Sequence, residues 1–221
     1  MQPEPMVRWQ DYKGPLAKTV GTFTERLERK SVHPPRFKAG TLICSLTTRG
    51  KFMLFVHDST DPVTFLGAAF NAGLDQAENT DPTFGHDWAG YGKRFGAELA
   101  NNSSSAFFKD FAYPAIFSED PRYYRLARGS TQARLLHALG HVILAHQENG
   151  NYMLNFSEWL GSASAATLAD TYHPGNRPGV GPVAENVALG IASDMGYDVL
   201  REFWPEIAKK FKLPFRGEYK D

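Results

Sequence analysis

Cysteine is all but missing from this chain: Cys44 is the sole example among 221 residues. A single thiol excludes an internal disulfide and any zinc site built on cysteines. Long apolar runs are missing too, and none reaches the roughly 18 residues expected of a membrane-spanning helix. The opening stretch, Met1–Pro5 followed by polar and charged residues, lacks the apolar centre of a secretory signal, so no signal peptide is expected in this chain. Net charge is absent as well. The 24 Lys and Arg balance 24 Asp and Glu, which argues against a general nucleic-acid binder. Nucleophile elbows, phosphate-binding loops and dinucleotide fingerprints do not occur.

What is present is the composition of a folded protein, 42% hydrophobic and 22% charged, long enough for one good-sized core. The charge balance hides an asymmetry. Residues 1–51 carry ten Lys and Arg against Glu4, Asp11, Glu25 and Glu28. The chain therefore reads as a basic, proline-containing N-terminal arm over 1–51, a helical domain over 52–215 and a tail over 216–221. Inside the arm, Val20, Phe23 and Leu27 are spaced for a short amphipathic helix over 19–30.

The fold class expected is all-α, with about five main helices. Phe52, Phe55 and Val56 suggest a short helix, and Asp61-Pro62 then supplies an N-cap and a first-turn proline for a helix to about Glu78. A second main helix carries Gly92–Ser104, and Pro114 should end or bend it. The stretch 131–147 reads as a third helix closed by Asn149-Gly150, although the same pair could turn a β-hairpin from 142–146 into 152–156. Asn155 with Glu158 resembles a capping box at the start of a fourth, and Pro182 opens a fifth, which Trp204-Pro205 should bend or restart.

Counted in fours, these helices show ridges of small residues, the organising one being Gly92, Gly96, Ala100 and Ser104. The others run Ala69, Gly73, Ala77; then Ser157, Gly161, Ala165, Ala169; then Ala184, Ala188, Ala192, Gly196. Residues four apart share a helical face, so such ridges suggest closely approached helices. On that expectation Gly96→Leu and Gly161→Leu should both destabilise by overpacking.

Four strings stand together in order: DPRYYR (120–125), NFSEWLG (155–161), TYHPGNRPGVGP (171–182) and LREFWPEIAKKF (200–211). They resemble an acidobacterial-type family of bacterial proteins, the likeness covering roughly residues 52–215. The resemblance implies no activity and no catalytic residues. Members of that family often look exported, which implies a location in the cell envelope, peripheral or periplasmic.

The candidate chemistry is sparse. His137 and His141, one helical turn apart, project from one face as two metal ligands or haem contacts would. The alternative is that they hydrogen-bond across a helix contact. Asp75, Glu98, Asp170, Asp194 and Asp198 are acids inside otherwise small or apolar helices. They could form a carboxylate pair, mark the solvent face, or pair with Arg94, Arg122 or Arg201. The cluster Arg122, Tyr123, Tyr124, Arg125 could grip a phosphate or carboxylate, or cap helix ends. In the tail, Phe203, Trp204, Ile207 and Phe211 with Lys209, Lys210 and Lys212 have the composition of an interfacial anchor or a partner-binding helix.

The function this supports is a non-enzymatic helical envelope protein, peripheral to a membrane or a structural subunit of a homo- or hetero-oligomeric assembly. Its partner would be a membrane surface or another protein, with no nucleic acid and no cofactor. A His-ligated metal or haem centred on His137 and His141 is the alternative.

Overall fold

The computed structural model describes residues 17–33, 45–173, 180–211 and 213. They are predominantly helical. The helices are α1 (Ala17–Arg29), α2 (Thr48–Thr60), α3 (Pro62–Glu78), α4 (Trp88–Ala106), α5 (Tyr113–Phe117), α6 (Thr131–Gly140), α7 (Phe156–Ala169) and α8 (Val180–Phe211). Short strands interrupt them: β1 (Ser31–Val32), β2 (Glu119–Asp120), β3 (Tyr123–Tyr124), β4 (Leu144–Gln147) and β5 (Tyr152–Leu154). Cys44, Lys212, most of the 175–181 loop and the rest of the basic arm lie outside the described residues.

The chain divides into two compact units in place of the single 52–215 domain suggested by the sequence. The first gathers residues 1–46, 120–155 and 193–221; the second gathers 47–119 and 156–192. In the first unit α1 is no free arm. Its Leu27 is buried with Trp204 and Ala208 of α8, and Phe23, Leu200, Ile207 and Leu213 pack around them. β1 runs parallel to β3, pairing Ser31 with Tyr123 and Val32 with Tyr124. After α6 the backbone turns extended. Asn149-Gly150 closes the antiparallel β4–β5 hairpin, with Gly150 at φ 84° where a side chain would strain the turn. The expected 131–147 helix therefore stops at Gly140, and the hairpin option holds.

The second unit is built from α2 to α5, α7 and the start of α8. Asp61 caps α3 as its sequence promises, accepting a hydrogen bond from the Val63 amide at 2.9 Å. Asp87 does the same for α4 through Gly90. Ahead of Pro114 the backbone widens into a π-helical turn, Phe107–Ala112, as expected where a proline removes a hydrogen-bond donor from the ladder. Lys51, fully buried on α2, donates to the Pro114 carbonyl at 2.8 Å and ties α2 to that turn.

The small-residue ridges part company here. On α7 the ridge Ser157, Gly161, Ala165, Ala169 is buried throughout, and a Cβ on Gly161 would collide with the Lys109 side chain. On α4 it is the reverse. Gly92 and Gly96 are exposed, Ala100 is only half-buried, and a Cβ on either glycine would meet nothing within 4 Å. The buried face of α4 carries Gly90, Arg94 and Ala97 instead. On α8 the ridge Ala184, Ala188, Ala192, Gly196 is likewise exposed, and Ile191 is the buried side chain. On α3 the buried stripe is Thr64, Ala68, Ala72, one residue off the expected Ala69, Gly73, Ala77.

What turns α4 is Arg94. Its guanidinium, 2% exposed, donates to the carbonyls of Thr80, Asp81 and Gly85 and to the Gln76 side chain, holding the loop before α4. A helix cannot rotate that group outward without leaving all four acceptors unmet. The glycine that permits close approach is Gly90, where an added Cβ would strike the Gly85 carbonyl, a backbone group unable to swing aside.

The expected order of glycine effects is therefore reversed within α4. Gly90→Ala should lower the urea midpoint, overpacking costing typically ~1–3 kcal/mol. Gly96→Ala should raise it by up to ~1 kcal/mol, since alanine is the better helix former. A Gly96 variant less stable than wild type, or a neutral Gly90 variant, would contradict this packing.

Candidate functional site

The sequence-predicted chemistry converges in the first unit, around the middle of α8. That helix continues through Pro205 to Phe211 without restarting, and its carbonyls near the proline need other donors. The Glu202 carbonyl receives Nε and Nη2 of Arg125 at 3.2 and 2.6 Å and Nη2 of Arg134 at 2.8 Å. The fully buried Glu202 carboxylate accepts from Arg134 Nε at 2.7 Å, the Tyr123 hydroxyl at 2.8 Å, and the Leu126 and Ala127 amides at 3.0 and 2.9 Å. Burial alone would raise the pKa of Glu202, but these donors hold it below the usual carboxylate range.

The Arg/Tyr string at 122–125 is the other half of this knot, not a phosphate grip. Arg122 forks onto Asp120, Nε to Oδ1 at 2.9 Å and Nη2 to Oδ2 at 2.6 Å, and both residues are buried. Tyr124 donates to Asp120 Oδ2 at 2.9 Å. Burial opposes ionisation of Asp120, yet Arg122 keeps it below the ordinary value; burial pushes the hydroxyls of Tyr123 and Tyr124 up, reinforced by Glu202 and Asp120 respectively. Arg125 also donates to His33 Nδ1 at 2.9 Å, and His33 Nε2–H in turn donates to Glu28 at 2.6 Å.

His137 and His141 flank the Tyr123 ring, at 5.8 and 5.2 Å between centroids, and each has a hydrogen-bond partner. His137 Nε2–H donates to the Tyr124 carbonyl at 2.8 Å, and His141 Nδ1–H to Asp198 Oδ2 at 2.7 Å. Among the described residues no group of three His, Cys, Asp or Glu is arranged to hold a metal ion. Both histidines hydrogen-bond across the knot. Asp198, expected to face solvent or pair, is buried between His141 and Arg201, which overcome its burial and keep it below the usual carboxylate range. Glu98 lies by Asn71 and Asn101, and Asp75, Asp170 and Asp194 are half-buried.

The aromatic-basic tail is largely absorbed as well. Trp204 is 6% exposed, edge-on to Phe23; Ile207 packs on the same cluster; Phe203 lies under the Arg134 guanidinium at 4.4 Å. Among the described residues of that stretch Lys209, Lys210 and Phe211 are exposed, as is Glu206. Sequence reasoning missed Glu202 and Asp120 altogether. A signal was present for Glu202: it lies one turn beyond Asp198, which is itself seven residues from Ile191, so all three share a stripe of α8.

In the second unit several polar groups are internal and several bulky apolar ones external. Lys109 of the π-turn reaches Glu158 at 3.2 Å, and Ser162 donates to the same carboxylate at 3.2 Å. His173 Nδ1–H donates to Asp81 at 2.7 Å and its Nε2 accepts from Asn101, which also receives the Tyr172 hydroxyl at 2.6 Å. Outside, α3 displays Leu66 and Phe70, 63% and 68% exposed, beside Phe65 and Leu74. α7 displays Trp159, its Leu160 and Leu168 line a shallow groove with Ala163, Ser164 and Thr167, and Leu189 of α8 is 64% exposed.

Two outcomes test the knot. Glu202→Ala removes the carboxylate partner of the Arg134 guanidinium, the buried Tyr123 phenol and two amides, while Arg125 keeps the backbone carbonyl, and should cost ~3–5 kcal/mol in urea unfolding, as breaking buried pairs does; a loss near zero would mean water reaches the site. The second is acid. Because Asp120, Asp198 and Glu202 ionise below their ordinary values of 3.8 and 4.5 when folded, the unfolded chain binds protons first as pH drops. Their contribution is complete above those values and should be lost progressively below about pH 4.5.

Comparisons with protein-family models, with curated proteins and with solved structures returned no match to this chain.

Proposed function

We propose that this is a non-enzymatic helical protein that works at a membrane surface, the outward faces of its second unit set against lipid acyl chains. One observation carries the reading: in that unit several charged side chains are buried while several large apolar ones are exposed. Lys51, Asp58, Arg94, Asp110 and Glu158 are buried, while Leu66, Phe70, Trp159 and Leu189 are exposed. A helix packed in water turns its large apolar stripe inward. On α3 the inward stripe is Thr64, Ala68 and Ala72, and the bulky residues point away from it. Exposed apolar faces of this extent mark surfaces that are covered in use.

Several features support lipid as the cover. The exposed apolar residues come from α2, α3, α7 and α8, as a broad apolar medium would favour. No helix among the described residues is long and apolar enough to cross a membrane, so the association is peripheral. The resemblance to often-exported bacterial proteins agrees with an envelope location. Within this reading the close packing through small residues belongs to α7 and the inner stripe of α3. The exposed Phe211, Lys209 and Lys210 add an interfacial contact at the other end of the chain.

The test is flotation of the purified chain with phospholipid vesicles. Wild type should float and be released by alkaline carbonate, while high salt, which does not weaken apolar contacts, should leave it bound. Phe70→Glu should cut the bound fraction about tenfold or more, burial of a phenylalanine being worth ~1.5–3 kcal/mol, with unchanged helicity. A chain that ignores vesicles and runs as a stable oligomer, dissociated by Phe70→Glu, would replace lipid with a protein partner. Release by detergent alone would mean the helices are immersed in the bilayer.

A further inference from the structure

His146 has no role in the membrane reading and none in the Glu202 knot, yet it is one of the most constrained side chains in the first unit. Its ring is stacked on Tyr124 of β3, with centroids 4.0 Å apart and planes within 20°. On β5 its cross-strand partner Tyr152 covers it, centroids 4.4 Å apart. Nδ1 is buried with no hydrogen-bond partner. The imidazole thus adds a stacked contact to β3 beside the β2–β4 pairing that also holds the hairpin.

We propose that the β4–β5 hairpin is an acid-sensitive latch, held on β3 by neutral His146 between Tyr124 and Tyr152 and released when that ring takes up a proton. The surroundings set the direction. From α6, His137 and His141 face the ring, and a proton on either adds positive charge beside it. From β3 come the phenols of Tyr123 and Tyr124, uncharged because burial raises their pKa values. From β2, Asp120 is the one acid acting on His146, but its charge is spent on the Arg122 fork. From α8, Asp198 is taken by His141 and Arg201. Tyr152 from β5 brings no charge. An imidazolium there would have a buried N–H without an acceptor and two aromatic faces as its only compensation.

Burial, then His141 and His137, depress the folded pKa to about 4 from the ordinary 6.5. The sign follows: between those values the open hairpin binds the proton and the closed one does not, so acid favours opening. The hairpin should be fully latched above about pH 6.5 and progressively released towards pH 4, above most of the range in which the carboxylates titrate.

The experiment is hydrogen exchange of the Leu144–Leu154 amides in the full chain, corrected for the intrinsic rate, at pH 7 and pH 5. Wild-type opening should rise on the order of tenfold at pH 5, whereas His146→Phe, which keeps the stack without the titrating nitrogen, should change less than twofold. Equal pH response in the two proteins overturns the latch, as does a wild-type hairpin equally protected at both values. Should His146→Phe fail to fold, NMR titration of the His146 ring in the wild-type chain decides: a pKa well below 6 supports the latch, and one near 6.5 overturns it.

Discussion

A charge taken out of water must meet a full set of partners or it unfolds the chain around it, and Glu202 is where that constraint acts hardest on this protein. Its carboxylate and carbonyl together receive Arg125, Arg134, Tyr123 and two loop amides. Through them α6, β3, the 126–127 turn and α8 are fixed to one another, with β1 following as the strand beside β3. Pro205 helps to make this possible, because a proline inside α8 leaves carbonyls of the preceding turn to be met from outside the helix. Arg94 plays the matching part in the second unit, collecting the loop before α4 on a single guanidinium. Both residues are held by geometry that apolar packing could not supply, and both sit where a sequence reader expects surface.

That expectation explains which features were legible. Caps and breakers read well because their physics is local: Asp61-Pro62 opens α3, Asp87 opens α4, and Pro114 follows a distorted turn. The predominantly helical character follows from the same signals. Facing was harder. A small-residue ridge says that an approach is permitted, not that one occurs, and glycine or alanine costs little on a solvent face. So α7 buried its ridge while α4 and α8 exposed theirs, turned by Arg94 on one and by Asp198 and Glu202 on the other. The Asn149-Gly150 pair had two readings, the start signal at Asn155 favoured the helix, and the pairing of Ala145 with Met153 that decides for the hairpin is not a local property. His137 and His141 did share a face, as their spacing requires. Their partners, a carbonyl 13 residues back and an acid 57 residues on, were beyond any motif.

The candidate site thus resolves into two surfaces with different chemistry. The first unit pairs and encloses Asp120, Asp198 and Glu202, an arrangement for holding shape. The second buries Lys51, Arg94 and Glu158 while leaving Leu66, Phe70 and Trp159 exposed. Lys109 shows how the two demands meet. The π-turn brings it beneath Gly161, where only a glycine leaves room, and Glu158 and Ser162 then satisfy its ammonium. The polar interior costs stability that the small ridge of α7 helps to offset by close packing, and the apolar exterior is left to whatever medium surrounds it.

Whether that medium is lipid is read most directly from Trp159, half-exposed on α7. Vesicles whose acyl chains carry bromine quench a tryptophan only when it approaches the hydrocarbon. Such vesicles should quench the fluorescence of bound protein carrying Trp88→Phe, which removes the exposed tryptophan of α4, and Trp159→Phe in that background should remove most of the quenchable signal. Bound protein whose Trp159 emission is unaffected by brominated chains would contradict it, because the inverted face would then lie against something other than the membrane.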